Sequence, residues 1–87
     1  MYFPEYPEIP LKYGDSGDKV ETMQAAMNVI LTKYPTHDVL VEDGYFGNAT
    51  DIAVRRFQQH VGLAEDGVVG RYTWISIFAL ANVIYEA

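Results

Sequence analysis

The sequence predicts an all-α fold of three helices in one small domain. Two observations carry that expectation. Apolar residues recur at helical spacing in three separate stretches, and copies of one short turn sequence stand before the second and third of them. The copies are Asp43-Gly44-Tyr45-Phe46-Gly47-Asn48-Ala49-Thr50 and, 23 positions on, Asp66-Gly67-Val68-Val69-Gly70-Arg71-Tyr72-Thr73. Each reads Asp-Gly, two apolar or aromatic residues, Gly, two variable residues, Thr. Asp-Gly favours a tight turn because the aspartate side chain bonds nearby main chain and glycine accepts positive φ. The second glycine permits another sharp change of direction where the helix begins. The two residues between the glycines can point inward as a plug.

Length and charge narrow the function classes. With 87 residues, 49% of them apolar, the chain suits one domain with one modest core. A net charge of −6 with only six basic residues leaves no basic patch, which argues against nucleic acid and anionic membrane surfaces as partners. There is no cysteine, so the fold needs no redox support. His37 and His60 have no clustered ligands, so neither a structural zinc nor another cofactor is expected. No apolar run is long enough to span a membrane, and the N-terminus lacks the basic-then-apolar pattern of a secretion signal. Any export would come from elsewhere: host lysis, a parent chain or a removed leader.

Residues 1–10 hold three of the four prolines and read as an extended arm. Tyr2, Phe3, Tyr6 and Ile9 make it too apolar for a free tail, so it is expected to pack on the domain (residues 11–87) at least in part. Ser16, or alternatively Asp15, is the expected N-cap of the first helix, with Asp18 favourable in its first turn. Val20, Met23, Gln24, Met27, Ile30, Leu31 and Tyr34 then follow helical spacing. Lys33 suits the last turn and Pro35 ends the helix. The methionines could form an adaptable surface, but at this spacing they read as core.

In the following loop Leu40 is expected to seal the core, and His37 reads as a solvated residue. The second helix runs from about Asn48 to Val61, capped by Gly47 or Asn48, with Thr50, Ala53, Val54, Phe57 and Val61 as its buried stripe. Asp51 and Arg55 stand four apart and can pair at the surface, and Gly62 suits the turn that ends the helix. The third helix begins at Arg71 or Tyr72 and runs toward Tyr85. Trp74, Ile77, Phe78, Ala81 and Ile84 share one side, while Ile75, Leu80 and Val83 point elsewhere. A helix apolar nearly all round wants a second cover. The aromatic arm is one candidate; a neighbouring domain or a second copy of the chain is the other.

Most site chemistries fail on residue type. Positions two and four before Asp43 and Asp66 lack the oxygen ligands of a calcium loop. Neither glycine pair is followed by the Lys-Ser or Lys-Thr of a phosphate loop. No serine or cysteine nucleophile has a histidine in a recognisable arrangement. Paired carboxylates such as Glu42, Asp43, Glu65 and Asp66 are the one catalytic option, but they sit beside turn glycines, where an aspartate has ordinary structural work.

Three motif blocks, taken together, carry a resemblance. They are Leu11-x-x-Gly14-x-x-Gly17-x-x-Val20-x-x-Met23-Gln24, then Asp43-Gly44-Tyr45-Phe46-Gly47-x-x-Thr50-x-x-Ala53-Val54-x-x-Phe57-Gln58, then Gly62-Leu63-x-x-Asp66-Gly67-Val68-Val69-Gly70-x-x-Thr73-Trp74. Over roughly residues 11–80 the chain resembles the peptidoglycan-binding domain family, the cell-wall anchor of phage endolysins, amidases and related hydrolases. The resemblance implies a compact three-helix bundle, matching the three periodic stretches. It implies a non-catalytic module that holds an enzyme or virion part against murein, acting at the bacterial cell wall. It also places a groove near the Asp-Gly loops and the second helix, with Asp43, Tyr45, Phe46, Arg55, Gln58, Gln59, Arg71 and Tyr72 as candidate peptidoglycan contacts. Tyr45 and Tyr72 would stack on sugar faces, Gln58 and Gln59 would bond stem-peptide amides, and Arg55 and Arg71 would meet carboxylates. Ordinary structural roles compete: Phe46 and Val69 as core plugs, Arg55 as the partner of Asp51, Gln58 as a brace for the adjacent loop. The arm and the apolar end of the third helix lie outside the family pattern. They suggest an added contact with a catalytic domain or with a second copy, and an assembly module of the same fold is the rival reading.

Overall fold

A computed structural model describes residues 3–86. Three helices account for most of them: α1 (Asp18–Leu31), α2 (Asn48–Val61) and α3 (Arg71–Glu86). α1 and α3 pack directly on each other. α2 reaches the same core through Ala53, Val54 and Phe57, against Met23, Met27 and Ile30 of α1 and Trp74 and Ile77 of α3. Leu40 is buried as expected. Phe46 and Val69, the second residues between the paired glycines, are both fully buried plugs. Tyr2 of the arm lies outside the described residues.

The start of α1 departs from the expectation. Its N-cap is Gly17 at φ 130, with no side-chain cap, rather than Ser16 or Asp15. The cause is a pairing of main chains. Gly14 N–H donates to Phe46 O (2.8 Å), Phe46 N–H to Asp15 O (2.8 Å) and Gly17 N–H to Gly44 O (2.9 Å), so residues 14–17 run antiparallel to the first Asp-Gly loop. Ser16 belongs to that pairing and not to the helix start. A matching bridge joins Leu11 to Val69, with N–H···O distances of 3.2 and 2.8 Å. The approach to α1 therefore docks on both loops.

α1 also ends earlier than its periodicity suggests. It stops at Leu31, leaving Lys33 beyond the helix: Thr32 and Lys33 N–H turn back three residues onto Val29 O and Ile30 O, and Tyr34 N–H closes on the same Ile30 O. A residue before proline disfavours helical backbone, which accounts for the unwinding ahead of Pro35. His37 is a second correction: it is buried, not solvated. Its Nε2 donates to Met27 O (3.1 Å), so Nδ1 accepts from the Thr36 hydroxyl (2.6 Å). The loop folds back over the end of α1 and seals the imidazole in. Desolvation pushes its pKa below the ordinary 6.5, against smaller upward pulls from the Met27 carbonyl and Asp38.

α2 begins at Gly47 and ends at Gly62, which adopts φ 81 and lets Leu63 N–H close on Gln58 O (2.8 Å). Val61, expected in the buried stripe, is 37% exposed, because the chain turns away at Gly62; Gln58 is buried in its place. α3 buries Trp74, Ile77, Phe78 and Ala81. The arm supplies the second cover on one side of α3. Trp74 Nε1–H donates to Pro4 O (3.0 Å), the Phe3 ring lies 6.0 Å from Phe78, and the Tyr6 ring meets Trp74 edge-on at 6.1 Å. On the other side Ile75 and Val83 stay exposed.

Candidate functional site

The two Asp-Gly loops are held by one device, used twice. In the first loop the Gln24 side chain, on α1 and fully buried, faces the turn. Its Oε1 accepts Gly44 N–H (2.8 Å). Its Nε2 donates to Tyr45 O (3.0 Å), Thr50 Oγ1 (3.1 Å) and Asp43 Oδ1 (3.3 Å). In the second loop Gln58, on α2 and equally buried, does the same. Its Oε1 accepts Gly67 N–H (3.0 Å), and Nε2 donates to Val68 O (3.0 Å), Thr73 Oγ1 (3.2 Å) and Asp66 Oδ1 (3.1 Å). The glycines at the two turns have nearly the same backbone, φ 75 and φ 72.

Each aspartate completes the turn from outside. Asp43 Oδ1 accepts Tyr45 N–H and Asp66 Oδ1 accepts Val68 N–H, both at 2.9 Å. Those main-chain bonds hold both carboxyls below the ordinary aspartate value of 3.8, with the glutamine amides adding to the effect; slight desolvation opposes it, and Arg55 adds a further downward pull on Asp66. Both groups are ionised at neutral pH.

The eight expected contact residues separate on this frame. Phe46 is a fully buried core plug, and Gln58 is the brace of the second loop, buried beneath the groove which that loop lines. The reason is geometric: the last apolar residue before the second glycine, and a glutamine one turn after Val54, both face inward. Gln24, its counterpart, was legible only as a core position. The signal that could have found it is the repeated apolar-Gln pair, Met23-Gln24 and Phe57-Gln58, ahead of each Asp-Gly.

The other six are exposed. Tyr45 (50% exposed) and Asp43 line a shallow groove of about 290 Å³ at the first loop. Tyr72 (77% exposed) and Arg71 line one of about 210 Å³ at the second. Arg55 and Gln59 line neither. Arg55 pairs with Asp51 (Nε to Oδ2, 3.2 Å) and donates from Nη1 to Glu65 O (3.0 Å), which braces the second loop from outside. Arg71 meets Glu8 of the arm at 2.8 Å in an exposed pair, and such pairs contribute little. Among the described residues no group of three or more His, Asp or Glu is placed to hold a metal ion, and no helix is long and apolar enough to cross a membrane.

A family model described as a putative peptidoglycan-binding domain matches residues 16–77. The chain belongs to this peptidoglycan-binding domain family. That span includes both Asp-Gly loops, both bracing glutamines and all eight candidate residues, and the model describes a binding domain, not a catalytic one. Solved structures agree. The SleB N-terminal domain superposes with a TM-score of 0.75 at 28% identity, over 88% of this chain and 99% of that one. A peptidoglycan-binding protein from Clostridioides difficile, crystallised with glutamine hydroxamate, gives 0.69 at 32% identity, over 85% of this chain and 43% of that one. The Burkholderia AP3 phage endolysin gives 0.66 at 33% identity, over 79% of this chain and 24% of that one. The chain thus spans less than half of the latter two. No curated protein matches the sequence significantly.

Proposed function

We infer that this peptidoglycan-binding family member binds bacterial cell-wall peptidoglycan, performs no chemistry of its own, and serves to hold an attached or partner hydrolase, or a virion component, at the wall. Its site of action is the cell wall. The observation that carries this reading is the pair of buried glutamine braces. They fix both loops without spending exposed side chains, leaving Tyr45 and Tyr72 as rigidly based aromatic platforms beside ionised Asp43 and an arginine, Arg71. Aromatic faces suit the apolar faces of sugars, and a preformed site avoids the ordering cost of binding. Arg71 suits a stem-peptide carboxylate, since its bond to Glu8 is exposed and easily exchanged. Arg55 and Gln59, on α2 beside the second loop, extend the polar surface.

A second reading has its own support. Ile75 and Val83 lie on an exposed apolar side of α3 that the arm does not cover. It favours an assembly role, with α3 docking on a catalytic domain or on a second copy.

Co-sedimentation with purified sacculi separates the two. The expected result is wild type in the pellet and Tyr45→Ala/Tyr72→Ala in the supernatant, with unchanged helicity by circular dichroism. Wild type left in the supernatant, with a mass that rises with concentration, would overturn the binding reading in favour of assembly.

A further inference from the structure

The repeat extends from the braces to the surfaces they support. From Leu40 to Thr50 and from Leu63 to Thr73, the residues lining the two grooves correspond one for one, 23 positions apart. Gln24 forms the floor of one and Gln58 the floor of the other. Neither the braces nor the turns distinguish the two grooves, since the same donors meet the same acceptors in each. Each groove also carries one exposed tyrosine, Tyr45 in the first and Tyr72 in the second. In each, the aspartate uses Oδ1 on the turn, and Oδ2 has no hydrogen-bond partner among the described residues. A carboxylate acceptor beside an aromatic face is a pairing suited to a sugar ring, which offers hydroxyl donors at its edge and C–H groups on its face.

We propose that the chain carries two repeat-related binding sites, one at each groove, and engages two saccharide–peptide units of a repetitive wall polymer at once. This rests on the binding reading above and adds its stoichiometry. The sites are related but not identical. The first is flanked by exposed Val39 and Val41 and has no basic side chain in its lining, so it takes the less charged part of a unit. The second has Arg71 and takes a carboxylate-bearing part. Two sites on one rigid body make the second contact intramolecular, so a polymer is held more tightly than a single unit.

The test uses the whole chain, labelled for NMR, and soluble disaccharide–peptide fragments released from sacculi by muramidase. Saturable shifts of both the Gly47 and Gly70 amides, with two fragments bound per chain, are the expected result. Tyr45→Ala should remove the shifts at Gly47 and keep those at Gly70, and Tyr72→Ala should do the reverse. Both tyrosines hold their loops through main-chain groups or not at all, so both variants keep the fold. Shifts at one groove only, or one fragment per chain, would overturn the two-site inference while leaving wall binding intact. So would sacculus binding with no shift at either groove. Failure of wild type to pellet with sacculi would instead overturn the underlying binding reading.

Discussion

Replacing Gln58 by leucine isolates the contribution of one brace. The side chain is fully buried and its amide makes four contacts, one through Oε1 and three through Nε2. Nε2 has two hydrogens for three oxygens, so the amide supplies about three full hydrogen bonds, about 3 kcal/mol at a net of ~1 kcal/mol each. Leucine nearly preserves the volume, so no large cavity penalty is added. The Gly67 N–H is left buried without its acceptor, which moves the expected loss to about 3–4 kcal/mol. In a domain of this size that lowers Tm by at least about 12 °C. Gln24→Leu should cost the same within about 1 kcal/mol, because its contacts match atom for atom. Gln59→Leu, one residue away and exposed, should stay within about 0.5 kcal/mol of wild type. Thermal and urea unfolding followed by circular dichroism reads all three, with an unchanged urea slope showing that the folded state itself lost stability. If Gln58→Leu and Gln59→Leu prove equally mild, the braces do not hold the loops and the argument from them fails.

Three further outcomes follow from the geometry. Gly44→Ala should destabilise more than Gly62→Ala: both sit at positive φ, but a Cβ at Gly44 would lie 3.0 Å from the main-chain Gly17 O, which is held by the loop pairing, whereas at Gly62 it meets open space. Backbone strain alone is about 1–3 kcal/mol at each, so urea midpoints should differ by the added clash. Deleting residues 1–10 should shift Trp74 fluorescence to the red and cost about 2–4 kcal/mol, from the lost bond to Pro4 O and the two aromatic contacts; unchanged emission would show that the arm does not cover Trp74. Acid should weaken the fold in two phases. His37 has a depressed folded pKa, so its contribution is complete above 6.5 and is lost as pH falls from there through the folded value. Asp43 and Asp66 are also depressed, so theirs is complete above 3.8 and is lost below it. His37→Gln should remove only the upper phase, read from urea midpoints across pH.

Helices were the most legible part of the sequence, since periodicity and punctuating glycines are local signals. Gly62 and Gly47 bounded α2 correctly for that reason. What depended on distant chain was not legible. Ser16 has the right chemistry for a cap, but its main chain is engaged by a loop some thirty residues on. His37 has no sequence neighbour to bury it, and the surface that does so is the end of α1. Gln58 illustrates the limit at the site. An amide on a helix near a loop suits a ligand contact and a brace equally, and only the position of Gly67 N–H decides between them. Tyr45 is exposed while its neighbour Phe46 is buried, because successive residues of extended chain point to opposite sides, and Tyr72 in the first turn of α3 lies off the Thr73–Trp74 side that is buried.

The two loops also record an experiment in divergence. Within one chain, Tyr45 stands against Val68, Asn48 against Arg71 and Ala49 against Tyr72, yet the same four brace contacts form in both. The brace touches main chain alone at Tyr45 and Val68 and does not touch the other two pairs; among side chains it requires only the aspartate and the threonine, which do not vary. Mutational tolerance is thereby concentrated where a ligand would be met. Tyrosine, asparagine or arginine can be exchanged along either rim without disturbing the brace that holds the loop.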